Sequence, residues 1–434
     1  MIYYNGLKKT NNTNIRKIRV AMFVISTVGL FISIWLHPVV VLLLLLHVLY
    51  IMLSDEKECL FLLFFLLPFA TIYKIAPNTI SFFTILEVFA VAWCIMRRRK
   101  FQITALIGIL WVTAILLLAP NRNVVDMIRV LLTLIVISLF LSCNENWTRE
   151  VVFSFALGLL ISSLIALFRN QIPNLQLYIQ NVESFTSLGY ASRFTGLYTD
   201  PNYYSVNIMT CNFALLALYY NRKIGGVFWA ITVALAFFGA LTMSKSLIVM
   251  LFVYYLVLIG TLVKGRRRVV AFFSVLFLGI FAMVILYSEN DFFVLFRARF
   301  NFDSVDDLTT GRLTMLMSYL KHIVSEPGVF LRGEGIGGEL LCINGKYRAS
   351  HNLYIDLVYY LGLLGAGIYV LTISVIWKEN RCTIKRGLHH YATLICTLVM
   401  YFFLSAFLMI EMPFLLLLGF YIHNEAETSK SYVQ

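Results

Sequence analysis

The chain has 434 residues, 60% of them apolar and only 13% Asp, Glu, Lys or Arg, about half the charged share of a soluble protein. That load, with a mean hydropathy of +0.83, excludes a soluble globule and is enough for roughly a dozen spans at about 20 residues each. The net charge is +13, from 35 Lys and Arg against 22 Asp and Glu; the cations lie in short segments between apolar runs, which fits the orientation signal of a membrane protein rather than a nucleic-acid binder.

The N-terminal MIYYNGLKKTNNTNIRKIRV is basic and leads into an apolar run without a small-residue cleavage site, so an uncleaved first span is expected. Apolar runs interrupted by charges, Pro, Asn or Gly predict spans at 19–36, 38–53, 59–75, 79–96, 102–119, 123–142, 150–168, 203–220, 226–243, 246–263, 269–287, 352–377, 391–409 and 412–423. The last is short, so the expectation is an all-α polytopic membrane protein of about 12–14 transmembrane helices, a single integral membrane domain over 1–434. Basic clusters at Lys8 to Arg19, Arg97 to Lys100, Arg222 with Lys223, Lys264 to Arg268 and Lys378 to Arg386 are separated by even numbers of spans. All five therefore fall on one side, the cytoplasmic one together with the N-terminus. The two long hydrophilic segments, 169–202 and 288–351, then lie outside. The seven cysteines are scattered, with no C-x-x-C spacing, so neither a disulfide framework nor a structural zinc site is expected.

Loops of this length are functional or disordered, and the second has a reason to be ordered. Its TTGRLTMLMSYLKHIVSEP places Leu313, Leu316, Met317, Leu320 and Val324 at helical spacing behind a threonine cap, an amphipathic helix at the membrane surface or over the bundle. The first loop ends in SRFTGLYTDPNYYSVN (192–207), bringing Arg193, Gly196, Asp200 and Asn202 to the membrane edge; D-P-N alone is a turn that starts a helix. The second loop holds Thr310, Gly311 and Arg312, then LRGEGIGGE (331–339), and ends in Ser350, His351 and Asn352. Its glycines could bring backbone N–H groups to a phosphate, a weak signal with no strand before it.

Ionisable groups inside expected spans are Glu87, Asp126 with Arg129, Lys245 and Glu411; such groups are costly at membrane depth and are functional or paired. Asp126 and Arg129, three apart on one helix, are expected to neutralise each other. Asp303, Asp306 and Asp307 are explained by the dipole of the helix they precede, so no metal site is expected.

Together these pieces resemble the bacterial O-antigen polymerase (Wzy) and O-antigen ligase (WaaL) superfamily, which includes capsule and exopolysaccharide polymerases. The resemblance rests on RFTGLYTDPN at 193–202, TGR at 310–312 followed by the amphipathic helix and a G-x-G segment, and HNLYIDLVYYLGLLG at 351–365, where His351, Asn352, Gly362 and Gly365 fit the family spacing. It covers about 190 to 366. Where the family commonly has Ser-Arg at the start of a span, this chain has Ser244 and Lys245, keeping the charge but not the bidentate fork.

The resemblance implies a GT-C-like glycosyltransferase of the bacterial inner membrane, with loops 169–202 and 288–351 as an extracytoplasmic catalytic face and no cofactor. The implied reaction polymerises lipid-linked repeat units of O-antigen, capsule or exopolysaccharide. Its substrates would be undecaprenyl-pyrophosphate-linked oligosaccharides among membrane lipids, a chain-length regulator would be a possible partner, and no nucleic acid is involved. The residues fit that chemistry. Charge building on departing phosphates needs fixed cations, for which Arg193, Arg312 and Lys245 are candidates. An acceptor hydroxyl needs a base, His351 first, with Asp200 and Glu334 behind it; Asn202 and Asn352 complete the expected binding set. The motifs do not separate the polymerase from a ligase that transfers glycan to lipid A-core. A lipid-linked oligosaccharide flippase would share the spans but leave the outer loops without a purpose.

Overall fold

The computed structural model describes residues 2–77, 79–97, 102–142, 147–179, 182–186, 189–221, 224–262, 311–343, 345–380 and 388–424, together with Val294. The expected span 269–287 and residues Asp303, Asp306, Asp307 and Thr310 lie outside them. In chain order the elements are α1 (Ile2–Ser33), α2 (Pro38–Leu53), α3 (Glu56–Leu66), α4 (Phe82–Met96), α5 (Ile103–Leu118), α6 (Val124–Leu141), α7 (Thr148–Leu167) and α8 (Pro173–Tyr178). A hairpin of β1 (Val182–Thr186) and β2 (Gly189–Arg193) leads to α9 (Pro201–Tyr220), α10 (Val227–Ala240) and α11 (Lys245–Leu262). After residue 310 come α12 (Arg312–Ser325), α13 (Pro327–Arg332), the hairpin β3 (Leu341–Ile343) and β4 (Lys346–Arg348), α14 (Leu353–Asn380), α15 (Leu388–Tyr401) and α16 (Glu411–Asn424).

The structure is 76% helical, so the two antiparallel hairpins are minor and the class is all-α. Among the described residues, α6, α7 and α14 are long and apolar enough to cross a membrane, and α2, α4, α5, α10 and Lys245–Leu258 are shorter apolar helices.

The helices divide into two compact units. The first holds Met1–Arg97, Phe153–Gln180 and Gly196–Thr199. Here α3 starts on Asp55, whose side chain accepts the Glu58 N–H at 2.9 Å, and carries Glu56 and Glu58 in its first turn, where carboxylates suit the helix dipole. The expected span 59–75 is cut short: the helix ends at Leu66 and tightens into a 3-10 turn, Leu67–Phe69, because Pro68 has no N–H to continue the ladder. Glu58 is buried and meets Arg19, whose Nε donates to it at 2.7 Å, with a second bond from the other guanidinium nitrogen; Tyr50 donates at 3.0 Å. His47 is fully buried between Ser26 (2.8 Å) and Tyr73 (2.7 Å). Glu87 is buried as well.

The second unit, Arg98–Val152, Asn181–Thr195 and Asp200–Gln434, is built round α9, buried almost continuously from Pro201 to Leu218. Most of the polar side chains enclosed on this helix find partners: Ser205 donates back to Pro201, Asn207 to Tyr203, and Thr210 pairs with Thr397 of α15 at 2.9 Å, while the buried Asn212 amide makes no hydrogen bond among the described residues. Asp126 and Arg129 form the expected pair at 3.0 Å.

Three further elements depart from expectation. First, α14 is broken at Gly362, whose φ of +68° is open to glycine. The break frees the carbonyls of Tyr359 and Tyr360, which accept the N–H groups of Glu334 (2.7 Å) and Gly335 (3.1 Å). A side chain at Gly333 or Gly362 would run into the other segment's backbone. The Gly-rich segment is therefore a backbone dock for a broken helix, and these N–H groups are already taken.

Second, the expected span 391–409 ends early. The helix stops at Tyr401, and 402–410 runs through turns before α16 begins. Third, α12 starts at Arg312 behind Gly311 (φ +73°), with no side-chain cap, instead of behind a threonine. Its buried face is Met315, Tyr319 and Ile323, packed with Tyr359, while Leu313, Met317, Leu320 and Val324 are exposed. Apolar spacing misjudged this face because Tyr319 anchors it: the ring meets Tyr359 edge-on at 4.9 Å and the hydroxyl donates to the Arg348 carbonyl at 2.8 Å.

Candidate functional site

The site is built at the start of α9. Asp200 is its N-cap and accepts the Asn202 N–H at 2.6 Å, with Pro201 at the first helical position, where a missing N–H costs nothing. Two polar groups meet this turn.

The first draws on three segments far apart in the chain. His351 is mostly buried, and its titration is lowered by that burial, then by Arg312 and Arg348, against the opposing pull of Asp200. Arg312, on the first turn of α12, is lowered by burial and held up by Asp200 and Tyr203. A guanidinium stays protonated in proteins, so the burial acts as a standing demand for negative charge. Among the described residues Arg312 closes no ion pair: Asp200 is near enough to act on it without docking. A neutral imidazole beside a half-buried cation can take a proton from a hydroxyl while the cation meets an anion.

His351 adopts φ +53°, and Met243 is the other non-glycine with positive φ among the described residues. Left-handed backbone is uncommon outside glycine and persists where surroundings hold it. Here the His351 N–H donates to Ser405 Oγ at 2.9 Å, from the turn segment 402–410. Asn352 caps α14, accepting the N–H groups of Tyr354 and Ile355, and donates to the Phe402 carbonyl at 3.0 Å. Tyr203 donates to the Ser405 carbonyl at 3.0 Å.

The second group lies where α10 turns into α11. Arg193, 5% exposed, donates through Nε to the Thr242 carbonyl at 2.9 Å. Ser244 donates to Asn202 at 2.9 Å and shares a hydrogen bond with Ser246, and Lys245 is half-buried as the first residue of α11. The left-handed Met243 makes this corner.

The structure thus brings Asp200, Arg312 and His351 together, and places Arg193, Asn202 and Lys245 around the neighbouring corner. Asn352 serves the loop that carries His351. Glu334 lies elsewhere, with Asn121 donating to its carbonyl at 3.0 Å and to its carboxylate at 3.4 Å. Sequence reasoning missed Tyr203, Arg348, Asp356 and Ser405. Asp356 was within reach of the rule applied to Glu87 and Glu411, an ionisable residue inside an expected span; Ser405, in an unbroken apolar run, carried no signal.

No family model matches the chain, and no curated protein and no solved structure matches it.

Proposed function

We propose that the protein is a membrane glycosyltransferase of GT-C-like architecture that polymerises lipid-linked oligosaccharide repeat units at the outer face of the bacterial inner membrane. The observation that supports this reading best is the meeting of Asp200, Arg312 and His351, which come from three segments far apart in the chain. In the proposed reaction the acceptor sugar hydroxyl attacks the anomeric carbon of a glycan on polyprenyl pyrophosphate. His351 takes the hydroxyl proton as the new C–O bond forms. The bond to pyrophosphate breaks, and Arg312 meets the charge left on the phosphates, with Arg193 and Lys245 as further cations. Lowered basicity suits His351 to this role, since it is neutral and ready to accept a proton near pH 7.

Deleting the gene tests the reading: cells should display single repeat units and no long polymer. Long chains accumulating on the polyprenyl carrier, unattached to lipid A-core, would make the protein a ligase. The proposed topology is tested by cysteine labelling in a cysteine-free background. An impermeant reagent should reach position 339 and miss 223, and the reverse pattern would sink the outer site.

A further inference from the structure

Asp356, in the first turn of α14, is 4% exposed. An acid there suits the helix dipole, but its neighbours show a more specific arrangement. Ser350 Oγ donates to Asp356 Oδ1 at 2.6 Å and accepts the Asn352 N–H at 3.0 Å. Ser405 lies near enough to the same carboxylate to act on it, and the oxygen of its hydroxyl accepts the His351 N–H. A serine hydroxyl has one hydrogen and two lone pairs, so with a lone pair given to His351 its hydrogen is left for Asp356. The carboxylate thus holds Ser350 directly and lies within reach of Ser405, the two hydroxyls that flank His351. Tyr203 fixes the Ser405 carbonyl in turn, tying the clamp to α9. This accounts for a histidine held at φ +53°, a conformation that costs on the order of 1 kcal/mol or more and needs support from its surroundings.

We propose that Asp356 is the positioning residue of His351, holding the imidazole toward Arg312 and Asp200 through Ser350 and Ser405 without touching substrate. The proposal rests on the reading of His351 as the base. The charged groups that act on the ring are Arg312 from α12, Arg348 from β4 and Asp200 at the start of α9; Asp356 is not among them. This gives the test a sign. Loss of a nearby negative charge would lower a histidine's titration, whereas loss of position frees the ring from its buried place beside two cations and raises it.

The experiment uses the full-length protein in nanodiscs with 13C-labelled histidine, the His351 signal being assigned by its loss in His351→Gln. In Asp356→Ala and Ser405→Ala the His351 titration should move up, toward the 6.5 or so of free imidazole. With an undecaprenyl-pyrophosphate-linked repeat unit as donor, kcat should fall by about 10²-fold at unchanged KM, the scale of a misplaced catalytic group. Ser405→Thr, which keeps the hydroxyl, should restore both readouts, and Asp356→Asn, which keeps an acceptor oxygen, should fall between. If Asp356→Ala does not fold, Ser405→Ala and Asp356→Asn carry the test. An unmoved or lowered His351 titration in the folded variants overturns the proposal, whatever the transfer assay reads. A raised titration in an enzyme whose wild type transfers no glycan would retire the glycosyltransferase reading and leave the clamp standing.

Discussion

Arg19 and Arg312 are both cations drawn out of water, and they are treated differently. Arg19 is matched within its own unit: two nitrogens bind the buried Glu58 carboxylate, and the guanidinium lies 4.2 Å over the Phe61 ring. Arg129 in the second unit is likewise closed on Asp126. Arg312 sits beside Asp200 without docking on it, in a group that includes a strained histidine. A cation with a closed partner stabilises a fold. Among the described residues the burial of Arg312 is only partly offset, by Asp200 and Tyr203, and in the proposed reaction the donor phosphates bring the remaining charge.

The comparison breaks if Arg312 behaves like Arg19. Arg312→Ala and His351→Ala should each lower glycan transfer by about two to three orders of magnitude, the scale of losing one fixed donor at a developing charge, while membrane insertion and thermal unfolding stay as in the wild type. Arg312→Lys should recover only part, because a point charge replaces the planar fork. Full polymer from either alanine variant at normal expression would remove the site.

Arg19→Ala should give the opposite pattern. It leaves Glu58 buried with Tyr50 as its remaining side-chain donor among the described residues, which should cost about 3 kcal/mol, the low end for breaking a buried pair since Arg19 keeps some solvent. Thermal unfolding of the purified protein should report that loss while the specific activity of the folded fraction holds. A stable Arg19→Ala enzyme with lost activity would mean that the two arginines had been assigned the wrong way round.

The contrast also explains what the sequence made legible. Long apolar runs bounded by breakers read directly as helices: 38–53 and 123–142 against Pro38–Leu53 and Val124–Leu141. The Asp126–Arg129 pair followed from its spacing alone. The gathering of Asp200, Arg312 and His351 was suggested by motif order, although spacing along the chain carries no distance. Features set by tertiary contact were hidden. FFLSAFLMI, from 402 to 410, has no Gly, no Pro and no charge, yet it leaves the helix and presents Ser405 and its carbonyls to His351, Asn352 and Tyr203. Gly362 was visible as a motif residue, whereas the break it permits depends on a partner loop nearly thirty residues earlier.

A smaller effect sharpens the electrostatic half of the comparison. Since burial, Arg312 and Arg348 lower the titration of His351, the acidic limb of the pH–rate profile should lie below the ordinary histidine value of about 6.5. Activity is lost as pH falls through that limb and the imidazole gains its proton. Arg348→Ala removes one of the two cations facing the ring, so the limb should shift upward with the plateau rate little changed. A downward shift, or none, would mean that Arg348 does not act on the base.

Lys245 should show the smallest change and still decide something. As the first residue of α11 it places a positive charge at the positive end of a helix dipole, a position that costs about 0.3–1 kcal/mol. If the lysine serves only the fold, Lys245→Gln should change thermal stability by no more than that and leave transfer unaltered, which would set it apart from Arg312. If it belongs with Arg312, the same substitution should weaken donor binding, seen as a raised KM that falls back in Lys245→Arg, where the charge is restored and the fork is added. The Ser244 to Asn202 bond joins this corner to the first turn of α9, the turn Asp200 caps, so a charge at 245 sits beside the turn that leads to Arg312 and His351. On that ground the raised KM is the expected result.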